Sequence, residues 1–296
     1  MPEVETIKRD LERLLIRKGV SLPAGSRHRS TKGVRHRLRK IRSVKVKDPF
    51  VLTGISPKGA PRRNVSVSEF EKNVTGKEIR GVSRRGKYLV MEFSGSAGLL
   101  FHLRMTGQLT VSEPMGKERL LLFLDDGMTL CFTDRRRFGE VFFSDDWRNE
   151  PEIISLGVEP LNGKLDASYL KRHLRDRKAP IHSMLLNQKI VAGLGNIYVT
   201  ESLFHSGILP VRAAGKISEE RLEKLVRAIR WVLQRSISNR GYSMTTYVDA
   251  LGRKGRSQLF TAVYGKENLP CAACGTRLKR KVISERSAVY CPACQR

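Results

Sequence analysis

The pattern of apolar positions divides the chain into a strand-rich part followed by a helical part. A helix is predicted over residues 3–18, where apolar side chains recur on one face, namely Val4, Ile7, Leu11, Leu14 and Leu15. Residues 41–143 hold short apolar or alternating runs, and the run Asp125-Asp126-Gly127 between two of them predicts a hairpin turn. Several short strands in one block favour a β-sandwich or a barrel.

After about residue 150 the apolar positions recur with the period of a helix. Helices are predicted over residues 166–175, 180–187, 196–206 and 217–238. The last of these carries one apolar stripe, which predicts a buried face. Glycines at positions 193 and 195 predict a tight turn ahead of the third helix, and residues 239–268 are predicted to be a loop.

Charge narrows the partners that the chain could bind. The 296 residues include 56 Lys and Arg against 29 Asp and Glu, a net charge of +27. Such an excess predicts a polyanionic partner, and nucleic acid is favoured over an acidic membrane surface because no basic amphipathic anchor is present. Residues 27–47 carry ten Lys or Arg and no acidic residue, so they form either a solvated loop or an arm on the DNA backbone. No apolar run has the length of a membrane span, and no secretory signal is predicted.

The cysteines predict a metal site at the end of the chain. Cys271 and Cys274 form one Cys-x-x-Cys pair, and Cys291 and Cys294 form a second. Four thiolates suit one tetrahedral zinc ion with no open position, which predicts a structural zinc; redox-active thiols are the alternative. Cys131 lies alone in an apolar run and is predicted to be a buried small hydrophobic residue.

Five motifs, in order along nearly the whole chain, resemble the formamidopyrimidine-DNA glycosylase family, which is related to endonuclease VIII. They are the Pro-Glu start, RRGKYL at 84–89, DRRRFG at 134–139, GLGNIYVTESLFHSGILP at 193–210 and the basic C-terminal finger. The resemblance implies an α+β multidomain fold: an N-terminal helix plus β-sandwich, a helix-two-turn-helix domain and a zinc-finger hairpin. It places a catalytic domain at 1–150, a helix-two-turn-helix domain at 151–265 and the finger at 266–296, with DNA in the cleft between domains.

The resemblance also implies the catalytic residues. Pro2, once Met1 is removed, would be the nucleophile that forms a Schiff base with the sugar, and Glu3 would be the general acid or base. Lys87 would hold a phosphate beside the lesion. Without the resemblance, these residues are an ordinary Met-Pro start, a first-turn carboxylate favoured by the helix dipole and a solvated strand lysine.

A second set of residues is implied to contact the opened duplex. Met105, Arg136 and Phe138 would fill the space that a flipped base leaves, and Arg137 is grouped with them as DNA-binding. Without the resemblance, Met105 and Phe138 would each be interpreted as a core residue. Arg135 stands where the family often has proline.

The remaining implied contacts lie in the C-terminal half. Asn196 would grip a DNA phosphate at the start of a helix, and Arg286 would bind phosphate from the finger. Glu201 would lie near the flipped base or order the site. His182 stands where many relatives have a lysine near the base, which bears on lesion preference.

Together these features predict a base-excision repair enzyme. The expected reaction is removal of oxidised purines, such as 8-oxoguanine and formamidopyrimidines, from double-stranded DNA, with apurinic-site lyase activity and one structural zinc ion. We expect a monomer that does not bind membranes and is cytoplasmic and nucleoid-associated in a bacterial-type cell. The start MPEVET is three residues shorter than the family's MPELPEVET, so the alternative is an inactive paralogue that binds lesions or abasic sites. A zinc-ribbon RNA-binding protein would explain the charge and cysteines but not the other motifs.

Overall fold

The computed structural model describes residues 1–16, 38–53, 63, 65–243 and 246–296. Residues 27–37 of the basic segment, and the last two positions of the predicted first helix, lie outside the described residues. The chain divides into two compact units. The sandwich unit comprises residues 3–154 and 240–255, and the helical unit comprises residues 1–2, 155–239 and 256–296.

Within these ranges the chain forms eight α-helices and ten β-strands. The helices are α1 (Pro2–Leu15), α2 (Phe50–Thr53), α3 (Val67–Val74), α4 (Pro151–Ile154), α5 (Ala167–Leu174), α6 (Ile181–Leu186), α7 (Asn196–His205) and α8 (Glu219–Ser238). The strands are β1 (Ile41–Val46), β2 (Gly81–Arg85), β3 (Tyr88–Glu92), β4 (Gly98–His102), β5 (Gly107–Val111), β6 (Leu120–Leu124), β7 (Thr129–Asp134), β8 (Glu140–Ser144), β9 (Lys279–Ile283) and β10 (Arg286–Tyr290).

The sandwich unit consists of two four-stranded antiparallel sheets. One has the strand order β1-β6-β7-β5 and the other the order β2-β3-β4-β8. Their inner faces share one core, in which the rings of Phe101 on β4 and Phe132 on β7 lie 6.2 Å apart. The predicted sandwich and the hairpin turn at residues 125–127 are confirmed.

Two short helices interrupt the strand block and were not predicted. Helix α3 begins after Ser66, whose hydroxyl accepts a hydrogen bond from the backbone N–H of Glu69. Its buried residues Phe70 and Val74 are one turn apart, so they face the core together. Val67 also packs against the core, so three apolar residues define this helix, which covers only about two turns and was too short for its period to be recognised.

Helix α1 packs its predicted apolar stripe into the sandwich core, and all five side chains of that stripe are buried. The helical unit has its own core, built mainly from α5, α6, α7 and α8. The predicted stripe of α8 is buried there, so both amphipathic helices were predicted correctly.

Cys131, on β7, is buried as expected, and burial raises the pKa of its thiol. In the part of the chain that the structure describes, no helix has both the length and the apolar character needed to cross a membrane.

The 240–255 segment is fixed to the sandwich unit by a buried carboxylate. Asp249 is fully buried and accepts hydrogen bonds from the backbone N–H groups of Leu251 and Arg253, each at 2.9 Å. The guanidinium groups of Arg240 and Arg253 also bind it, and Arg240 reaches Asp10 on α1. Burial raises the pKa of Asp249, but these hydrogen bonds outweigh it and leave the pKa lowered.

We expect Asp249→Asn to lower the free energy of unfolding at pH 7 by about 2 kcal/mol. One buried carboxylate oxygen becomes an NH₂ group, which cannot accept the N–H hydrogen bonds that reach it. Since the folded-state pKa is lowered, the carboxylate stabilises the fold above its unfolded-state pKa of about 3.9 and loses this effect as pH falls further. The difference from wild type, measured by calorimetry, should therefore shrink in acid. The exposed Asp145→Asn serves as the control, and a pH-independent difference would contradict the assignment.

Candidate nucleic-acid interface

The predicted nucleophile and acid lie at the first turn of α1. Pro2 is buried and begins the helix, a position where its missing N–H costs nothing. The Glu3 carboxylate accepts a hydrogen bond from the backbone N–H of Tyr242 at 3.1 Å, and its carbonyl accepts one from the Tyr247 hydroxyl at 3.2 Å. Burial and the adjacent Glu3 carboxylate raise the pKa of Tyr247, so it remains a neutral donor. The segment after α8 therefore fixes the Glu3 side chain.

Lys87 lies in the two-residue turn between β2 and β3. Gly86 precedes it with a φ of +59°, as a type II′ hairpin turn requires at its first central position. Arg84 holds this turn, because it donates to the Gly86 carbonyl at 2.9 Å and to the Glu5 carboxylate at 2.8 Å. Burial raises the pKa of Glu5, but the ion pairs with Arg84 and Arg9 together outweigh it and leave the pKa lowered. The lysine turn is thus tied to α1 by a charged contact.

Met105, Arg136 and Phe138 lie on two turns of the sandwich unit. The Met105 turn, residues 103–107, joins β4 to β5, and the Arg136 turn, residues 134–140, joins β7 to β8. Met105 is 64% exposed and Phe138 43% exposed, unusual values for large apolar side chains. The guanidinium of Arg136 lies 4.9 Å from the centre of the Phe138 ring. The structure therefore presents these three side chains to solvent and does not bury Met105 or Phe138 in the core.

Arg137 differs from its neighbours, because its side chain binds within the protein. It has a φ of +64° and pairs with the Asp48 carboxylate at 2.8 Å. Its guanidinium lies 4.9 Å from the centre of the Phe50 ring. Asp48 also pairs with the buried Arg119. In this arrangement Arg137 fixes the base of the Arg136 turn.

In the helical unit, Asn196 connects the glycine turn to the finger hairpin. It is the first residue of α7 and follows Gly195, which has extended backbone and no side chain to cap the helix. Its side-chain amide donates to the Ser287 carbonyl on β10 at 2.8 Å, and its amide oxygen pairs with His182 Nε2 at 2.9 Å. Burial lowers the pKa of His182, so the ring is neutral at pH 7 and its Nε2–H donates to Asn196.

Glu201 lies deep inside the helical unit. Its carboxylate accepts three backbone N–H groups of the segment before the finger, from Ala262 at 2.7 Å, Val263 at 3.0 Å and Tyr264 at 2.8 Å. It is 3% exposed. In the described structure Glu201 therefore orders the approach to the finger.

The four predicted metal ligands come together. The Sγ atoms of Cys271, Cys274, Cys291 and Cys294 all lie within 4.8 Å of one another. A tetrahedral site with metal–sulfur bonds of about 2.3 Å needs sulfur separations of about 3.8 Å, which this cluster approaches. The residues present fit one metal ion.

The finger hairpin is basic on its exposed surface. Strands β9 and β10 are antiparallel, with Lys279 opposite Tyr290 at one end and Ile283 opposite Arg286 at the other. Arg286 is exposed at the start of β10, and Lys279, Arg280 and Lys281 are exposed on β9. The hairpin thus presents cations close in sequence to Ser287, the residue that binds Asn196.

Several residues that fix these elements were missed by the sequence analysis. Asp134, Thr106 and Glu140 hold the two exposed turns, and Arg84 holds the lysine turn. Asp134 lies inside the motif DRRRFG, and Arg84 lies inside RRGKYL, so these motifs could have drawn attention to them. Their partners are distant along the chain, and a motif does not specify which distant donor a carboxylate will bind.

Comparison with known proteins agrees with this architecture. Family models match in three segments: the formamidopyrimidine-DNA glycosylase N-terminal domain at 28–141, its H2TH domain at 156–248, and the zinc finger found in FPG and IleRS at 268–296. The formamidopyrimidine-DNA glycosylase of Pelotomaculum thermopropionicum is 36% identical over 302 aligned residues, covering 100% of this chain and 98% of the relative. That of Carboxydothermus hydrogenoformans is 37% identical and covers 100% and 99%.

Solved structures give the same result. The MutM (Fpg) protein of Thermus thermophilus matches with a TM-score of 0.80 and 33% identity, covering 100% of this chain and 98% of that one. The Lactococcus lactis Fpg in complex with DNA containing an abasic site matches with a TM-score of 0.81 and 30% identity, covering 100% and 99%. The chain therefore belongs to the formamidopyrimidine-DNA glycosylase family of base-excision repair enzymes. These whole-length matches do not favour the alternatives of an inactive paralogue or a zinc-ribbon RNA-binding protein.

We expect Glu201→Gln to loosen the segment before the finger, because one carboxylate oxygen becomes an amide that faces N–H donors. The backbone N–H groups of residues 262–264 should exchange faster with solvent, by about tenfold or more, since an unpaired buried group costs about 1–3 kcal/mol. Hydrogen exchange measures this directly. Glu223→Gln, at an exposed ion pair on α8, is the matched control and should change little. Unchanged exchange in Glu201→Gln would contradict the anchoring role.

Proposed function

We propose that this protein removes oxidised purines, such as 8-oxoguanine and formamidopyrimidines, from duplex DNA and then cuts the strand at the abasic site. The observation that supports this most is the pair of exposed turns that present Met105, Arg136 and Phe138. Exposed apolar and cationic side chains on fixed turns suit entry into a duplex from which a base has been flipped. Lactococcus lactis relatives form complexes with DNA containing formamidopyrimidine-dG or an abasic site.

In the proposed reaction Pro2 is the nucleophile. Removal of Met1 frees its secondary amine, and a terminal α-amine is partly neutral, and so able to attack, at physiological pH. The amine attacks the sugar C1′ and displaces the base; the C1′–O4′ bond of the resulting aminal then breaks as O4′ is protonated, and the open-chain iminium forms. This cation acidifies a 2′ proton, and loss of that proton breaks the C3′–O3′ bond. Hydrolysis of the iminium then returns the free amine.

Glu3 is the proposed acid and base in these steps. Its carboxylate follows the nucleophile directly in sequence and is held by the backbone N–H of Tyr242. In this role it protonates the ring oxygen and takes up sugar protons. Lys87, on a turn held by Arg84, is proposed to bind a phosphate beside the lesion.

The helical unit is proposed to grip the DNA backbone. The N–H groups at the start of α7, together with Asn196, form a natural phosphate site, and Arg286 adds a cation from the adjoining finger. Glu201 is proposed to order this unit, since its carboxylate is fully occupied by backbone donors. Arg137 remains a proposed DNA contact, although its pairing with Asp48 favours support of the turn.

One structural zinc ion is the proposed cofactor, held by Cys271, Cys274, Cys291 and Cys294. Four protein ligands leave no open position, so the ion stabilises the finger and takes no part in the chemistry. The domain limits 1–150, 151–265 and 266–296, the monomeric state and a cytoplasmic, nucleoid-associated location stay predictions that accompany this proposal.

We expect one zinc per chain by elemental analysis. Cys274→Ser should lose the metal and weaken binding to abasic duplex, because the finger hairpin loses the ion that fixes it. Cys131→Ser, at the cysteine outside the cluster, is the matched control and should retain the metal. Full metal content in Cys274→Ser would rule out the four-ligand site.

Borohydride trapping tests the proposed nucleophile. The protein, with Met1 removal checked by mass, should form a covalent adduct with abasic and 8-oxoguanine duplexes, since borohydride reduces the iminium. An N-terminally extended form should give no adduct, because its Pro2 nitrogen is an amide. Pro2→Gly tests whether the secondary amine is needed.

The alternatives give different results in the same assay. An adduct that persists in the extended form would show that an amine other than that of Pro2 is the nucleophile. Tight binding to abasic duplex without an adduct in any form would leave a lesion-binding protein and contradict the catalytic proposal.

A further inference from the structure

The Met105 turn and the Arg136 turn are bonded to each other on both sides of their exposed residues. Thr106 and Arg104, the two neighbours of Met105, contact Asp134 and Glu140, the two residues that bound the Arg136 turn. Both carboxylates are nearly fully buried, at 5% and 3% exposure. The side chains proposed to enter DNA thus project from a base of buried polar contacts.

Asp134 is the centre of the first link. One carboxylate oxygen accepts hydrogen bonds from the Thr106 hydroxyl and from the backbone N–H of Arg136 at 3.2 Å. The other accepts the backbone N–H of Gly139 at 2.6 Å. The Thr106 oxygen also lies 3.1 Å from the Arg136 nitrogen. One carboxylate therefore fixes both ends of the Arg136 turn and the side of the Met105 turn.

Glu140 forms the second link. Its carboxylate accepts a hydrogen bond from the Arg104 guanidinium at 2.6 Å. Arg104 has a φ of +51°, in the left-handed region that costs a residue other than glycine about 1 kcal/mol or more. The contact with Glu140 helps to hold this conformation. Gly107 closes the same turn, because a Cβ there would lie 2.4 Å from the Leu103 carbonyl oxygen.

We propose that Asp134, through Thr106, and Glu140, through Arg104, are positioning residues that make Met105, Arg136 and Phe138 one rigid insertion unit. This inference rests on the proposed function, which gives those three side chains the task of filling an opened duplex. Insertion of three side chains in one step requires that their turns keep a fixed separation. Turns ordered before binding lose little conformational entropy when they insert, and small displacements at a reacting site are costly.

Thr106→Val and Thr106→Ser form the matched pair that tests the first link. Valine keeps the shape of threonine and removes the hydroxyl, and serine keeps the hydroxyl. In the free protein, the N–H groups of Arg136 and Gly139 should exchange about tenfold faster in Thr106→Val and at nearly the wild-type rate in Thr106→Ser. Arg104→Gly tests the second link, because glycine suits the backbone while breaking the contact with Glu140. The substitution relieves the left-handed backbone but removes a partner of the buried Glu140 carboxylate, so the fold should be retained while exchange in the Met105 turn becomes faster.

The DNA readout uses a duplex with an uncleavable tetrahydrofuran abasic site opposite 2-aminopurine, whose fluorescence reports insertion. Thr106→Val should slow the fluorescence change by about tenfold, and Thr106→Ser should restore it. Met105→Ala and Arg136→Ala give the signal expected when insertion fails. Trapping on single-stranded abasic DNA, where no base needs replacing, should be the same in Thr106→Val and wild type.

The two arms separate the possible failures. Wild-type exchange in both Thr106→Val and Arg104→Gly would overturn the inference, as would faster exchange with wild-type insertion kinetics. If the wild-type protein neither forms an adduct nor changes the fluorescence, the proposed function fails, and the exchange arm by itself then decides whether the turns are coupled.

Discussion

Buried carboxylates that accept backbone N–H groups hold the functional loops of this protein in place. Asp134 fixes the Arg136 turn, Asp249 fixes the 240–255 segment, and Glu201 fixes the approach to the finger. Glu118 does the same for the loop before β6: burial raises its pKa, but the Met115 N–H and Lys47 outweigh this and lower the pKa to about 2. A loop has no regular ladder to satisfy its N–H groups, so a carboxylate with several lone pairs is an effective substitute.

This use of acidic residues follows from the charge of the chain. With 56 basic and 29 acidic residues, the protein suits a polyanion, and its exposed cations repel one another. Acidic side chains placed inside compensate part of that charge without reducing the positive surface that DNA would meet. Glu201 and Asp134 are examples, since neither faces solvent. Buried acidic side chains can therefore stabilise the fold while the exposed surface stays positive, as DNA binding requires.

The helical unit shows how a residue proposed to bind DNA can also have a structural role. Both polar atoms of the Asn196 side chain are engaged, one by His182 and one by the Ser287 carbonyl. The helix start and the finger hairpin are therefore joined before any phosphate arrives. The neutral ring of His182 supports Asn196 by this hydrogen bond.

The amino-acid sequence by itself determined the elements that depend on local patterns. The stripes of α1 and α8, the strand block, the hairpin turn at 125–127 and the paired cysteines are short-range signals, because helix period, strand alternation and ligand spacing act over a few residues. The short helix α3 was not predicted, because eight residues are too few for a helical period to stand out. The roles of Pro2, Lys87 and the other site residues rest on motif resemblance and stay predictions. Only the tertiary structure decided that Arg137 pairs with Asp48, that Glu201 binds the segment before the finger, and that Asp134 joins two turns. Each of these contacts unites groups far apart in the chain, and a buried polar group takes whichever partner the folded chain brings within hydrogen-bond distance.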